Sequence, residues 1–301
     1  MVPRGPALWR DDSHESVNPG AKTSALTLSL ASCVNGEKIN GEKETGSMNE
    51  VDWRNDVAAI WRPRQQRLRP VRHLDPVSLD DLLGIETQKA KLIQNTERFL
   101  AGKPANHALL WGSRGTGKSS LVKALLNAFA PKGLRVIEVE KHDLVDLPEI
   151  VDDIRERAQR FVIYCDDMAF DDGDTQYKHL KSVLEGSLEL PPENVKLYAT
   201  SNRRHLVSEY LSDNDQSRVV GREIHHGDVV EEKISLADRF GLSLSFYPIN
   251  EERYFEMVDH LFGPVADPEQ LHIRARRFSM EKGVRSGRTA RQFYNQFVGE
   301  F

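Results

Sequence analysis

The stretch "LLWGSRGTGKSSLVKALL", residues 109–126, decides the fold of this chain. It runs from a short apolar segment into a glycine-rich turn, and then into the apolar spacing of an amphipathic helix. Residues 112–119 read "GSRGTGKS" and satisfy the pattern G-x-x-x-x-G-K-[ST]. Because a strand is predicted before the pattern and a helix after it, the stretch predicts a phosphate-binding loop.

The residue types of this loop match the chemistry of a triphosphate. Glycines let successive backbone N–H groups turn towards the phosphates, and the N-terminus of the following helix adds its positive end. Lys118 is expected to reach the β- and γ-phosphates, and the Ser119 hydroxyl is expected to be a magnesium ligand. The predicted nucleotide-binding residues of the loop are Gly112, Ser113, Arg114, Gly115, Thr116, Gly117, Lys118, Ser119 and Ser120.

An acidic pair follows a second apolar run, "FVIYCDDM" at residues 161–168. Its position predicts that Asp166 and Asp167 lie at the C-terminal edge of a sheet, beside the phosphate loop, where ligands of α/β proteins bind. Asp166 is then expected to hold hydrated magnesium, and Asp167 to polarise an attacking water. The alternative is an acidic pair that merely ends a strand.

Strand and helix signals alternate through the middle of the chain. Strands are predicted at 107–112, 133–140, 160–167 and 195–202, and helices at 117–130, 147–160 and 175–189. A further helical pattern follows Ser78, a candidate N-cap. This alternation predicts an α/β fold, with a parallel sheet covered by helices on both faces. After about Pro248 the pattern is helical only, which predicts a small C-terminal lid.

The predicted domain organisation has four parts. Residues 1–50 read as a disordered tail, 51–73 as a basic aromatic linker or arm, 74–248 as the α/β nucleotide-binding domain, and 249–301 as the helical lid. Within the tail, "LASC" at 30–33 resembles a lipoprotein cleavage box, but the region before it contains acidic residues, so we favour a tail. Met48 is an alternative start.

The composition of the chain limits which cellular compartment and which binding partners are expected. The formal net charge of −5 is mildly acidic, which gives no support for a nucleic-acid coat or a membrane surface, so any such binding would have to be local. Only two cysteines, Cys33 and Cys165, are present, and no apolar run approaches the roughly 20 residues of a membrane span. We expect a reducing, cytoplasmic location.

The segment at 51–73 concentrates positive charge beside two tryptophans, Trp53 and Trp61. It contains the arginines Arg62, Arg64, Arg67, Arg69 and Arg72. One interpretation is an arm that binds nucleic acid or a partner subunit. The other, which we favour, is a linker whose tryptophans pack on the main domain.

Together these motifs resemble the AAA+ ATPases. "YATSN", ending at Asn202, resembles the sensor 1 strand between the two Walker strands, and "LADRFGL" places Arg239 where the family has its arginine finger. "GVRSGRTARQF" resembles sensor 2, with Arg288 the better match and Arg291 the alternative. "LLGIETQ", with Gly84 and Ile85, resembles the segment that packs on adenine.

More narrowly, the order and spacing of these motifs resemble the small ATPases grouped as domain of unknown function 815, from about residue 70 to the C-terminus. The resemblance implies ATP and magnesium as ligands, hydrolysis of ATP, and a homo-oligomer, a ring or dimer, in which Arg239 completes a neighbour's site. Asp167, Asn202, Arg239 and Arg288 are the expected catalytic residues. Asp167 departs from the glutamate usual in the family, which shortens its reach by about 1.5 Å, one bond length.

Two other functions share these motifs. An ATP-gated adaptor or loader would act on nucleic acid or a helicase through residues 62–72, with little hydrolysis of its own. A P-loop kinase would need an acceptor pocket under a mobile arginine-rich lid, which no sequence pattern indicates.

Overall fold

The computed structural model describes residues 50–169, 179–180, 184, 190–202 and 236–301. The predicted tail, apart from Glu50, lies outside the described residues, as does most of the helix predicted at 175–189.

A mainly parallel sheet forms the centre of the described structure. Its strands are β1 (Ala58–Arg62), β2 (Arg67–Pro70), β3 (Ala108–Gly112), β4 (Leu134–Glu138), β5 (Arg160–Cys165), β6 (Val195–Ser201) and β7 (Leu242–Phe246). Their order is β2-β1-β4-β5-β6-β3-β7. Only the β1–β2 pair is antiparallel. β6 lies between β3 and β5, so the segment predicted as sensor 1 separates the two strands that carry the loop and the acidic pair.

Six α-helices that are described from end to end accompany the sheet: α1 (Glu86–Leu100), α2 (Lys118–Phe129), α3 (Leu147–Ile154), α4 (Glu251–Phe262), α5 (Pro268–Glu281) and α6 (Gly287–Phe297). Short 3-10 helices lie at Pro63–Gln65, Ala130–Lys132 and Lys141–Asp146. α1 and α2 bury Phe99 and Leu121 against one face of the sheet. α3 buries Ile150 against the other. Burying apolar area on both faces explains why the strands read as near-continuous apolar runs, and the predicted fold class is confirmed.

Residues 58–70 form a hairpin that extends the sheet. β1 pairs in parallel with β4, and β2 closes the edge. Trp53 and Trp61 are 3% and 4% exposed. The Trp53 ring packs edge-on against Phe161 at 4.9 Å, and Trp61 Nε1 donates to Asp146 Oδ2 at 2.8 Å. These tryptophans therefore anchor the hairpin to the sheet. The predicted division at residues 73 and 74 falls just beyond β2, and the four-part domain scheme stays a prediction.

Four elements differ from the sequence-based expectations. β1 and β2 are strands in the segment that was predicted as a linker or arm. α1 begins at Glu86, not after Ser78, because Ser78 Oγ accepts the Asp80 N–H in a turn, and Gly84 has a φ of +76° that no right-handed helix contains. The sequence analysis also missed β7, whose "LSLSF" carries two serines in an alternating pattern.

The last three helices bury a separate apolar cluster that includes Tyr254, Leu271 and Phe293. Each helix begins at a side-chain cap: Asn250, Asp267 and Ser286 accept the backbone N–H groups of Arg253, Gln270 and Thr289. Such caps fix helix starts and each contributes about 1 kcal/mol. Among the described residues, no helix has the length and apolar character that crossing a membrane requires.

Candidate nucleotide-binding site

A cleft of about 940 Å³ opens at the C-terminal edge of the sheet. Because β5, β6 and β3 are consecutive neighbours, the groups that follow them meet there: the acidic pair after β5, Asn202 after β6 and the glycine-rich loop after β3. The first turn of α6 and part of α4 form the opposite wall. The register of the sheet thus brings together segments that lie 35 to 84 residues apart in the sequence.

Lys118 is held inside the loop. It is 6% exposed, and its Nζ donates to the carbonyl oxygens of Gly112 at 2.9 Å and Ser113 at 2.7 Å, and to Asn202 Oδ1 at 3.2 Å. Burial lowers the pKa of Lys118, and the nearby carboxylates of Asp166 and Asp167 oppose that shift. The ammonium group is therefore satisfied without a ligand, and it lies where it can exchange these acceptors for phosphate oxygens.

Glycine is required where the loop meets the wall formed by α6. Gly115 has a φ of +77°, and a Cβ there would lie 2.9 Å from Ser286 Oγ. Any side chain would therefore be strained and would also push Ser286 away. This close approach places the N-terminus of α6 directly against the phosphate loop.

Oxygen atoms converge beside the start of α2. Asp166 Oδ1 accepts the Ser119 hydroxyl at 2.8 Å and also the Thr200 hydroxyl. Burial alone would raise the pKa of Asp166, but the hydrogen bonds from Thr200 and Ser119 outweigh burial and lower the pKa. Asp166 is therefore ionised at neutral pH.

This oxygen set fits magnesium. Mg²⁺ is held by one or two protein oxygens together with waters and substrate phosphates. Ser119 and Asp166 offer such a pair, and the described residues contain no group of three or more His, Cys, Asp or Glu that would form an all-protein cage. The donor chemistry matches the predicted metal ligands.

Asp167 lies in a constrained position next to Asn202. Its φ is +50°, its backbone N–H donates to Thr200 Oγ1 at 3.0 Å, and its carboxylate accepts the Asn202 side-chain N–H closely. A left-handed backbone at a non-glycine residue is costly and clusters at functional sites. Thr200 therefore fixes both acids, one through its hydroxyl proton and one through its lone pairs.

Two arginines of α6 line the cleft, Arg288 and Arg291. The charge of Arg288, with that of Arg114 in the loop, contributes to lowering the pKa of Lys118, which burial dominates. Arg288 is therefore close enough to act electrostatically on the loop. The segment before α6 is anchored by Arg285, whose guanidinium bonds Glu251 at 2.8 Å.

Of the remaining residues predicted for the site, one lines the cleft and two do not. Ile85, 6% exposed, lines the cleft together with Met257 of α4, whereas Gly84 does not line it and a Cβ at Gly84 would lie 3.6 Å from Met257 Cε. Arg239 also does not line the cleft; it precedes β7, at the opposite edge of the sheet. A role for Arg239 in its own chain's cleft is therefore not supported by this geometry.

The sequence analysis missed several residues of the cleft. Thr200 was within reach of prediction, because it lies near the end of β6, two positions before Asn202, and alternate residues of an extended chain point to the same side. Met257 and His260 come from α4, and nothing in their local sequence distinguishes them. His260 Nε2 approaches Asp81 Oδ1 to 3.6 Å, which links α4 to the segment before α1 across the rim.

The phosphate loop after β3, the acidic pair after β5, the intervening β6 and the small helical domain with its arginines define the class: this is a P-loop NTPase fold of the AAA+ type. A family model described as "Protein of unknown function (DUF815)" matches residues 54–301. The chain belongs to this family.

Comparisons with individual proteins cover less. The replication factor C large subunit of Staphylothermus marinus is 38% identical over 69 residues, which are 23% of this chain and 16% of that protein. Among solved structures, the RuvB Holliday junction branch migration motor of Thermotoga maritima has a TM-score of 0.42 at 16% identity, covering 74% of this chain and 72% of that one. A single-substitution variant of the same motor gives 0.43 at 17%, with the same coverage.

Proposed function

We propose that this protein binds ATP with magnesium and hydrolyses it, and that nucleotide state changes the conformation of an oligomer. The observation that carries the proposal is the convergence of Lys118, the Ser119–Asp166 pair and the Asp167–Asn202 pair in one cleft. Each group has a distinct task in phosphoryl transfer, where catalysis consists almost entirely of positioning and charge stabilisation.

The triphosphate lies along the backbone N–H groups of residues 114–119, because the Ser113 N–H already donates to the Phe246 carbonyl at 2.9 Å. The base lies against Ile85 and the segment at Gly84. Lys118 turns from Asn202 to the β- and γ-phosphate oxygens. Magnesium, held by Ser119 and Asp166, would neutralise charge on those phosphates. Asp167 orients the attacking water and accepts its proton, while Asn202 holds the Asp167 carboxylate in place.

Arginines complete the site from two directions. Arg288, or Arg291 beside it, approaches the γ-phosphate from α6 of the same chain. Arg239 lies outside its own cleft, so it acts on the γ-phosphate in a neighbouring subunit. A trans arginine needs a second protomer, which makes the active form a ring or a dimer. Loss of the γ-phosphate then frees the α4–α6 domain to change its angle.

The experiment that tests this proposal is subunit mixing. Arg239→Ala and Asp167→Asn are each expected to lower magnesium-dependent ATP turnover by at least about 10²-fold. Mixing the two should restore part of the activity, because an Asp167→Asn subunit still donates Arg239 to the intact site of its neighbour. Arg277→Ala, an exposed arginine on α5, is the matched control and should leave turnover unchanged.

Turnover per subunit should also rise with protein concentration. If the mixture stays inactive while both variants bind ATP, the trans role of Arg239 is wrong. If wild-type protein binds ATP and never turns it over, the hydrolytic function is wrong and an ATP-gated adaptor replaces it.

The adaptor function has one specific observation in its favour. The β1–β2 hairpin keeps Arg64 and Arg69 exposed, although Arg72 pairs with Asp56 at 3.2 Å and Arg67 Nε donates to Gln65 at 2.9 Å. Replacing Arg62, Arg64, Arg67, Arg69 and Arg72 with Ser should abolish salt-dependent nucleic-acid binding if this hairpin is the contact. Unchanged binding in that variant would remove the hairpin from consideration.

A further inference from the structure

A second hollow lies at the opposite, N-terminal edge of the sheet and has no part in the nucleotide cleft. Its volume is about 760 Å³. The second half of α1, the loop at 102–106 and the first residues of β5, β6 and β7 form its walls. Five cationic residues line it, and we call it the basic cleft: Lys91, Arg98, Lys103, Arg160 and Lys196.

The positive charge of the basic cleft is almost uncompensated. Glu193 is its only acidic lining residue among those described, so the lining carries five positive charges and one negative charge. The chain as a whole carries −5, so the cleft is a local reversal of sign. Clusters of this kind on one face are the electrostatic footprint of a polyanion site.

Burial distinguishes this cluster from an ordinary solvated surface. Lys196 is half-buried on β6, and no described carboxylate lies within ion-pair distance of it. Burial and the charge of Arg160 both lower the pKa of Lys196, with only Glu193 opposing them. Two cations that lie close together in a partly desolvated site repel each other, and binding of an anion between them relieves this repulsion.

The arginines of the cleft have part of their donor capacity already used. Arg98 Nε donates to the Pro104 carbonyl at 2.9 Å, and Arg160 Nη1 donates to the Glu193 carbonyl at 2.9 Å. The two-pronged contact by which arginine holds a carboxylate or a phosphate is therefore restricted at both residues. The lysines supply point charges of the kind that contact phosphate.

The positive surface also continues beyond the cleft. A smaller hollow shares Arg160 and Glu193 with it and adds Arg155, Glu156 and Arg157. Arg155 pairs with Asp152 at 3.5 Å, so Arg157 carries the positive charge that this hollow adds. Five cations in one cleft with a further one beside it fit a repeating anion better than a single small one. Phe99, the aromatic ring that lines the cleft, is 1% exposed and covered by Arg160, so it offers no open face for stacking a base.

We propose that the basic cleft binds the sugar-phosphate backbone of a nucleic-acid strand, without reading its sequence. The proposal does not depend on ATP hydrolysis, because no residue of the cleft lines the nucleotide site. It also differs from binding through the arginines of the β1–β2 hairpin, which lies at the far end of the strand order.

The test measures binding of a fluorescein-labelled, mixed-sequence DNA single strand by fluorescence anisotropy over about 50 to 200 mM salt. Wild-type protein should bind with a strong salt dependence. Replacing Lys91, Lys103 and Lys196 with Gln removes three phosphate contacts and should flatten the slope of log K against log salt by about 2. Affinity at low salt should fall at least about tenfold.

Three controls make the result decisive. A Lys132→Gln, Arg277→Gln, Lys282→Gln variant removes the same charge elsewhere and should bind like wild type. The double variant Lys91→Gln, Lys103→Gln changes only exposed side chains, so it tests the cleft even if replacing Lys196 prevents folding. Changing the base sequence of the strand should leave affinity unchanged.

Several results would overturn the proposal. One is the absence of binding at 50 mM salt. Another is full binding by the cleft variants together with its loss in the hairpin arginine variant. Displacement of the DNA by poly-glutamate as readily as by unlabelled DNA would assign the cleft to an acidic protein segment. ATP turnover is measured in parallel, so its absence can be told apart from failure at the cleft.

Discussion

Each edge of the sheet contains a lysine whose pKa is lowered by burial, and the charges around the two lysines are opposite in sign. At the C-terminal edge, Lys118 is surrounded by carbonyl oxygens, Asn202 and two carboxylates that oppose the lowering of its pKa. At the N-terminal edge, Lys196 has Arg160 beside it, and the two charges repel. One edge is nearly balanced within the chain, and the other is not.

This difference shows how a charge cluster indicates function. The balanced edge is organised in advance: its hydrogen bonds already hold the donors and acids in position, so a ligand replaces contacts that exist. At the N-terminal edge, the repulsion between the cations is relieved only when an anion binds from solution. Ion pairs alone would not have separated the two edges, because the distinction depends on which charges are buried and next to each other.

The largest expected effect concerns the balanced edge. Asp167→Asn keeps the shape of the side chain but removes the carboxylate that orients water, so ATP turnover should fall by about 10² to 10⁴-fold while ATP binding remains. Asp153→Asn, an exposed acid on α3, is the matched control. Turnover close to wild type in Asp167→Asn would exclude Asp167 as the base.

Asp167→Glu sharpens that test. The extra methylene restores the family's usual length but moves the carboxylate by about 1.5 Å from its contact with Asn202. We expect turnover between those of wild type and Asp167→Asn. A rise above wild type would mean that the short side chain, and not the contact with Asn202, limits the rate.

The next effect concerns the unbalanced edge and pH. Burial, assisted by the charge of Lys196, lowers the pKa of His107 from 6.5 to about 4. Between pH 6.5 and about 4, His107 is protonated in the unfolded chain and neutral in the folded chain. The free energy of unfolding therefore decreases as pH falls through this range. The full contribution is about 3 kcal/mol.

His107→Asn removes this titration while offering an oxygen for the Leu197 N–H that His107 Nδ1 now accepts at 2.9 Å. Urea unfolding at several pH values should give a flatter dependence than wild type across that window. His142→Asn, an exposed histidine, should keep the wild-type slope. Parallel curves for wild type and His107→Asn would contradict the assignment.

The smallest effect concerns Thr200, which joins the two acids of the balanced edge. Thr200→Val keeps the shape but loses the hydroxyl that bonds Asp166 and Asp167. The magnesium concentration at half-maximal turnover should rise by about 10 to 100-fold, with maximal turnover partly recovered at high magnesium. Thr200→Ser should behave like wild type, and an unchanged magnesium requirement in Thr200→Val would assign Thr200 a packing role only.

How much of this could be predicted differs between the two edges. The phosphate loop and the acidic pair can be recognised in the sequence, because their chemistry needs particular residues at fixed local spacing, as in "GSRGTGKS" and "YCDD". Arg288 and Asn202 came from resemblance, and the geometry brings both to the cleft. His260 was missed because an ordinary histidine acquires its place only from the packing of a lid. Thr200 was missed although its position two residues before Asn202 indicated that both lie on the same side.

The basic cleft was invisible in the sequence for the same reason. Lys91, Lys103, Arg160 and Lys196 are scattered over more than a hundred positions and meet only because α1 ends, and β5 and β6 begin, at one edge. The conspicuous basic run at 62–72 was the segment that the sequence offered as a nucleic-acid arm, as the alternative to the favoured linker, and part of its charge is paired locally.

The sequence by itself determined the α/β alternation, the phosphate loop and the acid beside it, because strand periodicity and loop chemistry are local properties. Tertiary structure alone decided that residues 58–70 complete the sheet, that Arg239 does not line its own chain's cleft, and that five distant cations share one hollow. Those outcomes depend on strand order and burial, and these are fixed only when the whole chain minimises its exposed apolar surface.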